Sequence, residues 1–175
     1  MLDQVIGGWD LSNIVSWHTG VAFSTVSGAF VAGYANNAPA IFTGDSSDIR
    51  RKVHKTEGGT LSLFADPTRA VNAFQGPIGF QIGPRNSLRG PQYFNLDTGL
   101  SKSFNLVPEW GVKLKFRGDA YNILNHPNFA PPTNNSNYDD ITQPSNFGQL
   151  TSMVNSNGLK GSSSRVLQIS GRIEF

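Results

Sequence analysis

The chain has 175 residues, of which 15% are charged and 38% hydrophobic, with 19 glycines, no cysteine and a net charge of +2. That composition excludes a disulfide framework, a thiol nucleophile and a cysteine-ligated metal, and so small a charge gives no ground for nucleic-acid binding. No run reaches the roughly 20 apolar residues of a membrane helix, and low charge combined with low hydrophobicity fits either a loop-rich β protein or a membrane barrel whose polar lumen hides its apolar face from an average.

The opening "MLDQVIGGWDLSN" shows no basic segment followed by an apolar core, so no signal peptide is visible, and it reads as the interior of a protein. Apolar residues then alternate with polar ones over about 8–25, with Trp9, Leu11, Val15 and Trp17 on one side and Asp10, Ser12, Ser16 and His18 on the other. This period of two predicts a strand. Residues 28–92 follow as a long stretch rich in Gly, Asn, Pro and Ser, expected as an irregular loop; its triplet Arg50–Arg51–Lys52 reads as solvated. A second strand is expected over 93–104, placing Phe94, Leu96, Leu100 and Phe104 on one face. After the short connection "NLVPE", a third is expected over 110–124, with Trp110, Val112, Leu114 and Phe116 opposed to Lys113, Lys115, Arg117 and Asp119. Residues 125–163 form a second long loop, and 165–175 a fourth strand, "RVLQISGRIEF".

Strand length separates two architectures. A soluble β-sandwich uses strands of about five or six residues, whereas these runs reach ten or more. Phe94 and Phe104 lie ten positions apart on one face, about 33 Å along a strand at roughly 3.3 Å per residue. Tilted by about 40°, this projects to the roughly 25 Å apolar band of an outer-membrane barrel. Trp9, Trp17, Phe94, Phe104 and Trp110 are then candidates for its aromatic girdles. The alternation of long, short and long connections matches the external loops and periplasmic turns of such barrels. Closing the 105–109 turn with Phe104 opposite Trp110 sets Asp97 against Arg117 as a lumen ion pair and Asn95 against Asp119. Lys102 interrupts the apolar face near the turn, where a lipid-facing lysine can reach the interface. Parity of crossings puts "NFGQLTSM" (146–153) in the outer loop. Four strands cannot close a membrane barrel, which needs about eight, and open edges are not tolerated in lipid, so the fold class expected is an all-β, antiparallel transmembrane barrel fragment that pairs with further strands.

Enzymatic chemistry is not indicated, and the chain is not expected to be an enzyme or to hold a cofactor or metal. His18, His54 and His126 lack metal-ligand spacing, and His126 is expected to hold its loop by hydrogen bonds. "NNSNYDD" (134–140) offers oxygen donors but lacks the glycine and final glutamate of an EF-hand. "GPRNSLRG" fits neither nucleotide-binding glycine pattern and reads as a turn.

Four blocks carry a family resemblance. "GGWDLSNIVSWHTGVAFS", "GPRNSLRGPQYFNLDTGLSKSFNL", "LKFRGDAYNILNHPNFAPP" and "NFGQLTS", followed by a terminal aromatic strand, resemble in order the end of TonB-dependent outer-membrane receptors of the Oar-like group. Departures are small: Thr19–Gly20–Val21–Ala22–Phe23 replaces the usual S-G-x-P-F, and Gly118–Asp119 the usual Ala-Glu. The resemblance implies the last four strands of a barrel of roughly 22 strands, in a Gram-negative outer membrane, with the plug domain and its TonB-box peptide outside this chain. It implies as partners membrane lipid, the remainder of the barrel and plug, the outer-membrane assembly machinery, and the TonB system through the missing part. Leu167, Ile169, Gly171, Ile173 and Phe175 would be the assembly signal, added to the assembler's sheet by strand pairing. The chain would not transport alone, and its substrate stays open. The alternative is a soluble or secreted β-sheet module binding a ligand of carbohydrate type.

Overall fold

The computed structural model describes residues 6–28, 30–31, 33–34, 37–133, 138–154 and 163–175. In chain order the strands are β1 (Trp9–His18), β2 (Ala22–Phe23), β3 (Thr25–Val26), β4 (Ile41–Phe42), β5 (Arg51–Lys55), β6 (Leu61–Phe64), β7 (Phe74–Gln75), β8 (Leu88–Arg89), β9 (Tyr93–Val107), β10 (Val112–Tyr121), β11 (Asp139–Asp140) and β12 (Val166–Glu174). One short helix, α1 (Pro67–Asn72), lies between β6 and β7. The chain divides into two compact units: residues 1–17, 94–128 and 154–175, and residues 18–93 with 129–153.

The first unit is built on a four-stranded sheet in the order β1-β9-β10-β12. β9 runs for 15 residues, β1 and β10 for 10 each, and β12 for 9. All exceed the usual strand length of about five or six. Strict alternation specifies them, because a slip by one residue would carry every side chain to the wrong face.

The β9–β10 register differs from the expected one. Phe104 stands opposite Leu114, Ser101 opposite Arg117, and Gly99 opposite Asp119. Strand β9 continues through "NLV" to Val107, and the reversal is made by Pro108–Glu109–Trp110 with Gly111 left-handed at φ 69°. Proline's fixed φ starts this turn, and glycine closes it where other residues are strained. A bulge with Leu106 as the extra residue lies beside the turn, where the pairing steps from Val112↔Val107 to Lys113↔Asn105. The partner sum therefore moves by four, which preserves the faces and changes the partners.

The second unit corrects the expectation of two irregular loops. The expected 8–25 strand ends at His18, and its remainder joins this unit, where β3 pairs in parallel with β11; residues of the two long connections meet there as well, through a bridge between the Ser62 and Gln149 backbones. Its cluster of buried side chains includes Phe23, Leu63, Phe64, Val71, Phe74, Phe147 and Leu150. Phe64 is fully buried and stacks on Phe147 at 5.5 Å. Helix α1 presents Ala70 and Val71 to this cluster, with Asp66 accepting from the Arg69 N–H at 2.9 Å as its N-cap. The segment 146–153 belongs here, with the Leu150 N–H donating to the Leu61 carbonyl. Of "NNSNYDD", residues 134–137 lie outside the described residues, while Asp139 and Asp140 are buried in β11.

Candidate functional site

The two faces of the four-stranded sheet define its chemistry. Pairing aligns Leu114 with Phe104 and Ile173, and Ala120 with Thr98 and Leu167. One face therefore carries the even residues of β9 and β10 and the odd residues of β12. It is apolar and open. Leu11, Val15, Leu167 and Ile173 are all more than half exposed, and Ile169 is 87% exposed. Phe116 packs edge-on against Phe104 at 6.2 Å, and its ring lies over Gly171, filling the space of an absent side chain. Lys102 interrupts this face as expected, but well before the turn, opposite Phe116. It is buried, its ammonium 5.0 Å from the Trp9 ring centroid and 5.4 Å from that of Phe104, and it donates to the Gly7 carbonyl. Such cation–π contacts are worth about 0.5–2 kcal/mol each, which explains how the charge is tolerated there.

The opposite face is polar. The lumen pair expected between Asp97 and Arg117 is not formed, because the register is four places away from the expected one. Arg117 instead holds Asp119 two positions along its own strand, with Nη2 at 2.8 Å and Nε at 2.8 and 2.9 Å from the carboxylate. Gly99 makes room for this pair, since a Cβ there would lie 2.7 Å from both Asp119 Oδ1 and Ser12 Oγ. Lys113 faces Glu174, and Lys115 lies beside Arg172.

Asp97 acts at the end of the hairpin. Its Oδ1 accepts from the Asn122 N–H at 2.8 Å and from Asn95 Nδ2 at 2.9 Å. Asn122, left-handed at φ 49°, donates from Nδ2 to the His126 and Ser163 carbonyls and accepts from the His126 N–H at 3.0 Å. Asn128 exchanges two 2.9 Å bonds with the Phe94 backbone and takes the His126 ring nitrogen at 3.2 Å. The "NILNHPNF" block is thus a hydrogen-bonded lock, with His126 in the loop-holding place expected for it. The asparagines were the missed residues; their clustering beside a proline was the available signal.

Of the expected girdle aromatics, Trp9 and Phe104 flank Lys102, Trp110 sits exposed in the turn, Phe94 touches His126, and Trp17 is exposed one residue before the end of β1. Leu167, Ile169, Gly171 and Ile173 all fall on the apolar face, and Phe175 is fully exposed beyond β12. Among the described residues, no three His, Asp or Glu side chains gather as metal ligands.

Burial in the two units runs in opposite senses. Among the described residues, every buried hydrophobic side chain lies in the second unit, while the buried side chains of the sheet unit are all polar: Asn95, Ser101, Lys102, Asn122, Asn128 and Ser163. A water-soluble sheet buries its apolar face. Long strands with an exposed apolar face and a polar reverse are the wall of a membrane β-barrel. The family described as outer membrane beta barrel domain matches residues 1–168, and the chain belongs to it. The protein is accordingly a component of the outer membrane, in association with its lipid. Comparison with curated proteins and with solved structures gives no match.

Proposed function

We propose that the chain is the C-terminal portion of a TonB-dependent outer-membrane transporter of the Oar-like group. In this reading β1, β9, β10 and β12 are the last four strands of a larger barrel, and the second unit is extracellular and contributes to substrate capture. The chain has no enzymatic role and does not transport without its plug. The observation that carries the proposal is the inverted burial of the sheet unit, joined to four ordered sequence blocks of that receptor group. The outer edges of β1 and β12 require further strands, since backbone groups left unpaired in hydrocarbon cost several kcal/mol each. Phe175 and the alternate apolar residues of β12 form the assembly signal. Family membership favours this wall over a soluble ligand-binding module.

Tagging the chain in its native outer membrane and isolating it in mild detergent tests the proposal. The isolated barrel is expected to contain a plug, to stay closed in planar bilayers, and to cross-link to an inner-membrane energy transducer. A permanently open pore with no plug and no transducer cross-link would refute TonB coupling.

A further inference from the structure

Within the second unit, a cleft of about 250 Å³ is lined by residues that include Ser24, Arg85, Asn86, Thr133 and Tyr138. A second, of about 130 Å³, shares Ser24, Arg85 and Tyr138 and adds Tyr34 and Asn37. The segment carrying Arg85 is anchored: Asn86 is left-handed at φ 55°, its N–H donates to Ser24 Oγ at 2.8 Å, and its side chain accepts from Ser24 Oγ at 3.4 Å. Below it, Leu88 in β8 pairs with Phe23 of β2 and is buried. Among the described residues, the Arg85 guanidinium and both phenol hydroxyls have no hydrogen-bond or ionic partner, and neither cleft is lined by a carboxylate. A cation carried on an anchored turn and without a counter-charge among the described residues, two aromatic rings and several short polar side chains therefore line one concave surface.

We infer that this double cleft binds a carboxylated sugar of monosaccharide size. Arginine's planar fork matches a carboxylate bidentately. Tyrosine rings offer flat apolar faces with a polar tip to the C–H surface of a pyranose, and the amide and hydroxyl side chains suit ring hydroxyls. The smaller cleft extends the site toward a neighbouring residue of an oligosaccharide. Small-molecule sites are concave and hold a few placed polar groups among apolar ones, and the turn "GPRNSLRG" supplies that arrangement here.

The test is saturation-transfer NMR with calorimetry on the full chain in detergent, using D-glucuronate, D-glucose and acetate as separate probes. Glucuronate is expected to bind, and Arg85→Gln to weaken it about tenfold, the loss of a charge-assisted hydrogen bond. Arg85→Lys, which keeps the charge without the fork, should weaken it by less. Hydrogen-exchange protection at Phe64 and Phe147 confirms that each variant retains the fold. Equal binding of glucose, full displacement by equimolar acetate, or wild-type affinity in Arg85→Gln would each overturn the inference. Binding is read on this chain alone, so a barrel that proves uncoupled to TonB leaves the result intact, and failed binding leaves the transport proposal standing.

Discussion

Asp139 should make the second unit lose stability as pH rises through neutrality. It is fully buried, and both of its carboxylate oxygens accept from the Gly148 N–H, at 3.1 and 3.0 Å. Burial pushes its pKa from 3.8 up to about 7; the Gly148 N–H opposes that rise, and the neighbouring Asp140 charge adds to it. The folded form therefore binds a proton that the unfolded chain releases near pH 4. The associated stability is fully present below about pH 4 and disappears as pH climbs through about 7. At about 1.4 kcal/mol per pH unit, the span from 3.8 to about 7 sets an upper limit of about 4 kcal/mol. Asp139→Asn keeps an acceptor for Gly148 and removes the titration, so the variant isolates this group from other carboxylates. One of these, Asp45, has its pKa lowered chiefly by the Ser47 backbone N–H. Amide hydrogen exchange at Phe64, Phe147 and Gly148, corrected for intrinsic rates, is the assay. The ratio of wild-type to variant protection should fall between pH 4 and pH 8, at the limit by about a thousandfold. A ratio that stays flat across this range would refute the assignment.

Three further outcomes are expected. Ile169→Arg, on the apolar face, should cost about 2–4 kcal/mol if the site lies at bilayer mid-depth, measured by urea titration of folding into lipid vesicles, while Gln168→Arg on the polar face should cost little; equal effects would contradict the assignment of faces. Phe64→Ala should destabilise the second unit by about 3–5 kcal/mol through the cavity it leaves against Phe147, visible as a selective loss of exchange protection in that unit. Gly111→Val forces a β-branched residue into the left-handed region and should cost about 1–3 kcal/mol, slowing formation of the β9–β10 hairpin in refolding kinetics.

The long strands were legible because a bilayer-facing sheet imposes period two over ten or more residues, so one pattern names both faces. The partner sum was not, because it depends on where the chain reverses. "NLVPEWG" allows two turn positions, and the choice rests on Gly111 taking a left-handed φ and on a bulge at Leu106. The Asp97–Arg117 pairing failed for that reason alone. The second unit was opaque because its strands are short, several of them only two residues long. No period can be seen over two residues, and Phe64 meets Phe147 across a sequence distance that no local pattern reports. The asparagine lock was partly visible as "NILNHPNF", but its partners Asp97, Phe94 and Ser163 come from elsewhere in the chain.

The burial of Asn122 and Asn128 reverses the ordinary ranking of tolerated change. In a soluble domain a mutational scan finds its deepest losses at leucines and phenylalanines. In this sheet unit the greasy positions are interchangeable with one another so long as they stay greasy, and the deepest losses should fall on two buried amides that each make three hydrogen bonds. Sequence drift in this unit would then leave its asparagines as fixed points among freely exchanging aliphatic neighbours.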